Sequence, residues 1–399
     1  MEMDIDRISS LPEPVQETIL LRLPVKDTIR TSVLSRQWRS RWANLPEVKV
    51  NDKGLEKDEL VKLIDRLLLL HTGQIQAFHL HLGKLECFAE IDGWILFLSR
   101  RGVRDIALKF EVGELYKLPS HLYSCQDLEH LQVSGCIFRQ PPSFQCFEYL
   151  TELHLHYVTI DPNVLENLVS KCVRLNGLRL YWIEGCSNLK IHNPNLGDIK
   201  VWSDFEDICF TNTENLYHVE IASRTLPAKG KTGSLVEFFS SLPAIQILAI
   251  DNSCLKYLIL DGVPEIPPLV CVHLWELSVE VNFRVPTEIS AALYLFKCTP
   301  NIEELQIMAS EETTSMEEPV QSILHTPGIV NFSFHLLKKV KFIGFTGLKP
   351  ELDMISFLLT NSRVLEKMII KSTLEEASKA SKELLQFKRA SAHAQIFLD

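Results

Sequence analysis

The fold of this chain is decided by a short apolar pattern, whose clearest copy is Leu128-Glu129-His130-Leu131-Gln132-Val133-Ser134-Gly135-Cys136. Its apolar residues follow the order apolar-x-x-apolar-x-apolar, so that the last two are separated by a single polar residue. An alternation with period two places apolar side chains on one face of a β-strand. The pattern therefore predicts a short strand with one buried face, followed by a turn.

The same pattern recurs along most of the chain. Up to residue 180 the central apolar residues of successive copies lie roughly 25 residues apart, which is the period of leucine-rich repeats. Beyond residue 240 the spacing is uneven, so we expect an irregular version of the repeat. The further copies are Ile75/Phe78/Leu80, Val103/Ile106/Leu108, Leu150/Leu153/Leu155, Leu175/Leu178/Leu180, Leu216/Val219/Ile221, Ile245/Leu248/Ile250, Leu255/Leu258/Leu260, Leu274/Leu277/Val279, Ile302/Leu305/Ile307, Leu337/Val340/Phe342 and Leu365/Met368/Ile370, with a weaker one at Ile199/Val201.

Helix-like apolar segments lie between the strand copies. A strand, a turn and a returning helix or loop form the unit of an α/β repeat array, in which each unit buries its apolar face against the next. The sequence therefore predicts an α/β repeat solenoid, in which Cys136 is a buried thiol and not a nucleophile. The predicted helical segments are 56–71, 92–99, 162–172, 235–241 and 289–298.

The N-terminal part of the chain follows a different pattern, that of three short helices. Val15, Ile19 and Leu23 recur every four residues, so one face of the first helix is apolar. Asp27 and Ser35 are suitable N-caps for a second and a third helix. Helices this short bury little surface alone, so we expect the module to gain stability from a neighbour or a partner. The aromatic residues of the third helix are Trp38 and Trp42.

This N-terminal pattern resembles the plant F-box. The matching residues are Leu11-Pro12, Ile19-Leu20, Leu23-Pro24, the run from Arg30 to Arg39, and Trp42. The resemblance implies that the module binds a Skp-type adaptor, called ASK in plants, which tethers it to a cullin. The side chains expected at the adaptor are apolar and too numerous for a core of this size. They are Leu11, Pro12, Ile19, Leu20, Leu23, Val33, Leu34 and Trp42.

The C-terminal part predicts a strand over 338–345, a turn, a helix over 351–361 and a strand over 364–371. A helix from Thr373 to about Leu385 and a short strand over 394–398 follow. The segment resembles the FBD domain that follows leucine-rich repeats in many plant F-box proteins. The matching residues are Leu337-Lys338-Lys339-Val340, Gly344-Phe345-Thr346-Gly347, Glu351-Leu352, Phe357-Leu358-Leu359 and Val364-Leu365-Glu366-Lys367-Met368.

These resemblances cover nearly the whole chain, which is identified as a member of the plant F-box/FBD/LRR-repeat family. The expected fold class is α/β: an N-terminal three-helix F-box, then an irregular leucine-rich-repeat solenoid, capped by a C-terminal FBD unit of βαβ type. The expected domains are 1–47, 48–320 and 321–399, with an acidic loop over Ser310 to Pro319 near the second boundary. The family implies a non-catalytic, substrate-recognition subunit of an SCF-type ubiquitin ligase.

Composition and charge argue against several other classes of protein. The net charge of −10 disfavours nucleic-acid binding, because phosphate contacts need clustered Lys and Arg. None of the ten cysteines forms a CxxC pair, and no nucleotide-binding or hydrolase motif occurs. We expect no cofactor and no membrane span. We also expect an intracellular location, in the cytoplasm and/or the nucleus, because no signal peptide precedes the first helix.

Two histidine pairs stand out, in His79-Leu80-His81 and His154-Leu155-His156. Period two places both members of each pair on one strand face, as two metal ligands would need. No third ligand follows at a suitable spacing, so we interpret these histidines as polar positions of repeat strands and expect no metal site.

The expected target-binding surface is the polar face of the repeat strands. The residue between the last two apolar positions of a strand points away from the core. The residues in this row are Gln132, His154, Arg179 and Glu220, with Ser278 and Gln306 further along.

Other interpretations of the repeat region stay open. The loops, and not the strand face, could bind the target. The chain could also be a scaffold that binds a partner without ubiquitination. A small-molecule receptor is the third alternative, and it would need basic residues that converge on the strand face. Only Arg179 is a firm cation among seven middle positions of the repeat strands, which disfavours that alternative; the seven are Gln132, His154, Arg179, Glu220, Ala249, Ser278 and Gln306.

The cysteine pattern gives a first prediction. In an intracellular protein without paired cysteine motifs, nearly all ten thiols should be free. We expect thiol titration of the purified chain under denaturing, non-reducing conditions to find them. Several stable disulfides would contradict both the compartment and the role given to Cys136.

Overall fold

The computed structural model describes two units of the chain, Met1–Cys186 and Ser187–Asp399. Each unit contains parallel strands and the helices that connect them. The described residues are 8–34, 38–83, 89–111, 115–224, 235–258, 270–310, 332–372, 383–384 and 386–398.

The first unit begins with short helices and continues as strand–helix repeats. Its strands pair in parallel in the order β1-β2-β3-β5-β6-β7, and β4 pairs with β5. The helices are α1 (Glu13–Arg22), α2 (Val25–Arg30), α3 (Lys57–Leu70), α4 (Glu90–Ser99) and α5 (Pro162–Lys171), with 3-10 turns at Thr31–Val33, Arg41–Asn44 and Ser120–Ser124. The strands are β1 (Glu47–Asn51), β2 (Ala77–Leu82), β3 (Asp105–Phe110), β4 (Tyr116–Lys117), β5 (His130–Phe138), β6 (Glu152–Ile160) and β7 (Gly177–Glu184).

The second unit has the same plan. The strands β9-β11-β12-β13-β14-β15-β16-β17 pair in parallel, and β8 pairs with β10 in a separate two-stranded sheet. The helices are α6 (Leu235–Ser240), α7 (Asn252–Leu258), α8 (Pro286–Cys298) and α9 (Lys349–Asn361). The strands are β8 (Asn188–His192), β9 (Asp198–Trp202), β10 (Asp207–Thr211), β11 (His218–Ala222), β12 (Ile247–Ile250), β13 (Glu276–Val281), β14 (Glu304–Ala309), β15 (Lys339–Phe345), β16 (Lys367–Ser372) and β17 (Gln395–Leu398).

The apolar positions of the repeats align across neighbouring strands. In the first unit Phe78, Ile106, Leu131, Leu153 and Leu178 are successive partners in register. Each is at most 1% exposed. Burying one such side chain contributes about 1.5–3 kcal/mol, so each added strand supplies the buried face that its neighbour needs. The predicted one-faced strands are confirmed.

The three longest strands of the first unit each contain one residue with positive φ at which the pairing is interrupted and the side-chain alternation shifts by one residue, although the strand register is kept; we call it the bulge. Ser134 pairs with His156, the next residue is skipped, and pairing resumes between Cys136 and Val158. The skipped residue of β5 is Gly135, whose φ is 71°. A side chain there would meet the carbonyl oxygen of Phe110 at 2.1 Å, so only glycine fits.

The structure contradicts one predicted strand. The copy at Leu255/Leu258/Leu260 falls, as far as it is described, in helix α7. The Asp251 carboxylate accepts the N–H of Cys254 at 2.8 Å, which makes Asp251 an N-cap. Leu255 is then buried as a helical residue. The apolar spacing fits a strand and a helix equally well, and the N-cap at Asp251 favours the helix.

The N-terminal helices also differ in detail from the prediction. The second helix begins at Val25, two residues before the predicted cap Asp27. Where the third helix was expected, the described residues form a 3-10 turn, Arg41–Asn44. The N–H of Leu45 closes this turn on Trp42, and the chain enters β1 two residues later. Too few residues remain for a regular helix. The predicted cap Ser35 lies outside the described residues.

Two further predicted features cannot be compared with the structure. Apart from its first residue, the acidic loop from Ser310 to Pro319 lies outside the described residues, as does most of the segment from Thr373 to Leu385. The closing strand is confirmed as β17. In the described ranges, no helix is long and apolar enough to cross a membrane.

Glu351 fixes the start of helix α9. It is buried, and its carboxylate accepts the backbone N–H groups of Thr346, Gly347 and Leu348 at 2.9, 2.9 and 3.2 Å. It also accepts the Thr346 hydroxyl at 3.0 Å. Burial raises the pKa of Glu351, and these hydrogen bonds oppose the shift. The turn before the helix therefore depends on one carboxylate.

The second prediction concerns this carboxylate. Glu351→Ala leaves three partly buried N–H groups without their acceptor, and an unsatisfied buried group costs about 1–3 kcal/mol. We expect the free energy of unfolding to fall by about 3 kcal/mol, and by less for Glu351→Gln, which keeps one acceptor oxygen. Denaturant unfolding measures both changes. Glu366→Ala, at an exposed position, is the control. Equal stability of the Glu351 and Glu366 variants would contradict the assigned role.

Candidate protein-binding surfaces

The N-terminal module has a very small core of its own. Leu20, Trp38 and Leu45 are buried together, and Leu21 and Trp42 pack against them. The Trp38 indole N–H donates to the Ser9 hydroxyl at 2.8 Å. These contacts join the first helix to the last turn of the module.

Most other apolar side chains of the module are exposed. Val33 is 84% exposed and Leu34 is 63% exposed, at the turn after α2. Ile19 and Leu23 on α1 are also exposed. Solvent-exposed apolar groups in such numbers are typical of a protein-binding surface. The predicted adaptor residues therefore divide into exposed (Pro12, Ile19, Leu23, Val33, Leu34), half-buried (Leu11, Trp42) and buried (Leu20).

The polar positions of the repeat strands form a row in the first unit. Gln132, His154 and Arg179 are successive partners in register on β5, β6 and β7, as the sequence pattern predicts. All three are half-buried. On the other side of β5 the row continues through Ala107 on β3 and His79 on β2 to Lys49 on β1. The sequence analysis did not place these three residues in the row.

Three histidines of this face each lie beside a carboxylate. His79 lies 3.2 Å from an Asp105 carboxylate oxygen, and His154 lies 3.3 Å from Glu152. His81 pairs with Glu111. Burial lowers the pKa of His154, and Glu152 opposes the shift. These contacts fit polar positions of repeat strands.

His156 completes this set. Its ring nitrogen Nδ1 is 2.9 Å from the Ser134 hydroxyl. Burial lowers its pKa, and Lys109 adds to the shift. Among the described residues, no group of three or more His, Cys, Asp or Glu side chains is arranged to hold a metal ion.

A groove of about 460 Å³ lies on this face of the first unit. It contains cations, histidines and carboxylates together, and several of them are paired: Lys49 with Glu47 at 2.5 Å, and His79 with Asp105. The groove therefore has side chains of both charges in its lining. Its lining includes Lys49, His79, Lys109, His130, Gln132 and His154.

Glu220, the fourth predicted target residue, belongs to the second unit. Its carboxylate accepts from Lys200 Nζ at 2.6 Å and from the Trp202 indole at 3.0 Å. The register continues from Glu220 through Ala249 and Ser278 to Gln306. Lys200 is a partner of Glu220 on the weakly patterned strand β9, so Arg179 is not the single cation among the middle positions.

The described cysteines are all free thiols, and most of them are buried. Cys136 is fully buried, and burial strongly raises the pKa of its thiol. A thiol in that environment stays protonated and unreactive. This agrees with its predicted place inside the repeat.

Sequence reasoning missed an aromatic cluster beside the polar row. The rings of Tyr157 and Trp182 are stacked, with centroids 4.8 Å apart and planes 7° apart. His156 and Tyr181 lie against the pair. The signal was available, because both aromatic residues occupy the position that Gly135 occupies in the quoted copy of the repeat.

Comparisons with known proteins agree with this architecture. The F-box domain model matches residues 8–49 and the FBD model matches residues 332–370. A model described as the LRR repeats of the FBD-associated F-box protein At5g56370 matches residues 91–307. The three matches follow the chain order that the sequence predicts.

Two relatives from Arabidopsis thaliana align over nearly the whole chain. The F-box/FBD/LRR-repeat protein At1g13570 is 33% identical, over 98% of each chain. The FBD-associated F-box protein At5g56370 is 25% identical, over 91% of this chain and 89% of its own length.

Among solved structures, an internalin of Listeria monocytogenes matches at a TM-score of 0.38 and 11% identity, over 93% of this chain and 94% of its own. The predicted α/β fold class, with an F-box near the N-terminus and an FBD region near the C-terminus, is confirmed. The family models and the full-length relative show that this chain belongs to the F-box/FBD/LRR-repeat protein family.

Proposed function

We propose that the chain is the substrate-recognition subunit of an SCF-type ubiquitin ligase. In this proposal residues 1–47 are the F-box, 48–320 the leucine-rich repeats and 321–399 the FBD domain. The F-box binds a Skp-type adaptor and, through it, a cullin. The repeats and the FBD domain bind the target protein. Other subunits carry the catalytic chemistry.

One observation supports the adaptor contact most directly, the exposure of apolar side chains on a module with a very small core. Val33 and Leu34 are the most exposed of them and contribute little to the fold. A monomeric module gains nothing from such side chains, whereas a partner that covers them removes apolar surface from water. Leu20 differs, because it is buried with Trp38 and Leu45. We expect Leu20 to act by keeping the module folded.

The proposed mechanism is proximity. A target that is held by the repeats lies near a charged ubiquitin-conjugating enzyme, which raises the effective concentration of its lysines. Such a mechanism needs a firm connection between the F-box and the repeats. The small cavity lined by Leu20 and Ile29 of the F-box is also lined by Val48 of β1 and Leu67 of α3. The two parts therefore share an apolar contact region.

The target is proposed to bind the strand face of the first unit, at Gln132, His154 and Arg179. The row is half-buried, and the groove that Gln132 and His154 line contains side chains of both charges, which fits a protein surface with charges of its own. Glu220 is proposed as a target contact on the strand face of the second unit.

A small-molecule receptor is a second candidate function. The groove has a volume in the range of ligand sites, and it contains more basic side chains than the sequence pattern indicated. The pairing of Lys49 and His79 with carboxylates favours a protein surface over an anionic small molecule.

The third prediction tests the adaptor contact. The double variant Val33→Asp, Leu34→Asp should bind the adaptor about a thousandfold more weakly, because each lost interface anchor commonly costs ~2 kcal/mol or more. Co-purification and titration calorimetry with the adaptor measure the loss.

The matched control is Leu69→Asp, Leu70→Asp. These residues are also apolar and exposed, Leu69 at 79%, but they lie on α3 outside the F-box. The control should bind the adaptor normally. Normal adaptor binding by the Val33/Leu34 variant would refute the proposed contact surface.

The fourth prediction concerns the target. Arg179→Glu and His154→Glu reverse or add charge on the strand face, so they should weaken target capture and leave adaptor binding unchanged. Proximity labelling with an otherwise identical chain that lacks the F-box identifies the captured proteins. Lys171→Glu is the control, since Lys171 is exposed at the end of helix α5. If the captured proteins are the same in all variants, the loops and not the strands recognise the target.

A further inference from the structure

The solvent-facing side of the strands in the second unit changes from acidic to basic between β14 and β15. In the described strands β13 and β14, every charged residue on that side is an acid: Glu276, Glu280 and Glu304. In β15 and β16, every charged residue on that side is a lysine: Lys339, Lys341, Lys367 and Lys371. Four neighbouring lysines stand out in a chain with a net charge of −10, and they favour a partner with negative charge.

The lysines are interleaved with apolar side chains. In register, Lys341 is the partner of Ile369, Ile369 is the partner of Phe397, and Ile343 is the partner of Lys371. Neighbouring strands are about 4.8 Å apart, and residues two apart in a strand share a face. Ile369 therefore has a lysine on one side, an aromatic ring on the other, and a lysine before and after it along β16. We call this set the basic–apolar face: Lys341, Ile343, Lys367, Ile369, Lys371 and Phe397.

Two of these lysines carry a charge that no described carboxylate neutralises. Among the residues that the structure describes, neither Lys341 nor Lys367 forms an ion pair with an acid. Lys339 differs, because its Nζ lies 2.6 Å from a Glu304 carboxylate oxygen. The Nζ of Lys367 lies 5.6 Å from the centre of the Phe397 ring, a cation–π contact that leaves its charge in place. The face is therefore positive.

The apolar members of the face add little to the core, which lies on the other side of these strands. Phe397 is 38% exposed, and Ile343 and Ile369 are half-buried between the lysines. A strand side that faces water usually carries polar residues. A partner with an apolar side chain of its own would remove these three groups from water.

The size of the face favours a single peptide segment as its occupant. The face spans three strands, so it is about 10 Å wide, and the acids of β13 and β14 border it on one side. A membrane or a nucleic acid is an extended polyanion and would also meet those acids. Lipid insertion requires protruding apolar groups, whereas Ile343 and Ile369 are recessed.

We propose that the basic–apolar face binds an acidic segment of the target protein that also carries a large apolar side chain. This inference rests on the proposed function, since it names a feature of the target. Carboxylates of the segment pair with Lys341 and Lys367, and its apolar side chain packs on Ile369 and Phe397. Ion pairs near the surface are weak singly and are screened by salt, so the binding is salt-sensitive.

Selection from a phage-displayed library of random twelve-residue peptides tests the proposal. Immobilised full-length protein should enrich peptides that combine Asp or Glu with Leu, Ile or Phe. A fluorescein-labelled synthetic copy of the most enriched peptide is then titrated with the protein by fluorescence anisotropy. Replacing its acids with Asn and Gln should weaken binding about tenfold, and binding should also weaken as the salt concentration rises.

The decisive variant is Lys341→Gln, Lys367→Gln. It removes both unneutralised charges and should weaken peptide binding about tenfold. Phe397→Ser tests the apolar contact separately and should also weaken binding. The matched control is Lys190→Gln, Lys388→Gln, which removes two exposed lysines of the same unit that lie outside the face. The control should bind the peptide as the parent does, and all variants should keep the melting temperature of the parent protein.

The outcomes separate this proposal from the proposed function. Adaptor binding by the same preparations is measured in parallel, and its failure in the parent protein counts against the ligase role and not against the peptide site. If the selected peptides are basic or uncharged, or if the control loses as much affinity as the Lys341/Lys367 variant, the face does not bind an acidic segment. Flotation with vesicles of phosphatidylcholine and phosphatidylserine tests the membrane alternative. Vesicle binding that depends on Lys341 and Lys367, without selection of acidic peptides, would overturn the proposal.

Discussion

The structure depends on the in-register alignment of apolar side chains across parallel strands. Leu131 is covered on either side by Ile106 and Leu153, and each of these needs the next strand in turn. A single repeat cannot bury its apolar face alone, so stability is a property of neighbouring pairs. Because the side-chain period is two, the same alignment fixes which residues face solvent. The polar row of Gln132, His154 and Arg179 is thus a consequence of how Leu131, Leu153 and Leu178 are buried.

The bulges show how a repeat can present an outward side chain without losing this alignment. After the skipped residue, Cys136 and Val158 return to the buried face, so the inward ladder continues. The skipped position itself contributes nothing to the core. Glycine is the least costly residue there, as Gly135 shows. An aromatic residue at that position projects outward at a cost in backbone energy and a gain in exposed ring surface. Tyr157 and Trp182 occupy this position in two adjacent repeats.

Much of the architecture was predictable from the sequence, because the apolar pattern of the strands is strong and local. This pattern predicts the strands β2, β3, β5, β6 and β7 directly. The failures have particular causes. Leu255 fits the strand pattern and the helix pattern equally, and the Asp251 cap decides between them. β1 was not predicted, because its short alternation, at Val48 and Val50, lies directly after the helical module. Its omission removed Lys49 from the expected row.

The candidate site was predictable only in part, for a physical reason. Sequence periodicity gives the direction of a side chain along a regular strand, and it therefore gave Gln132, His154 and Arg179. It does not give the direction after a bulge, because a bulge shifts the period by one residue. Tyr157 and Trp182 lie at such shifts, and their stacking depends on strands distant in sequence. The same applies to the ion pairs of His79 and His81, which join neighbouring repeats.

The small core of the F-box places a further constraint on the molecule. A core of Leu20, Trp38 and Leu45 is small for a module of this size, yet the proposed ubiquitin transfer by proximity requires a fixed orientation between the adaptor and the target. The shared apolar lining of Leu20 and Ile29 with Val48 and Leu67 offers the means, since it joins the F-box to the first strand and first long helix of the repeats. β1 starts at Glu47, so the chain passes from the F-box into the sheet without a free linker. Apolar residues at the edge of the repeat sheet therefore extend the small core of the F-box.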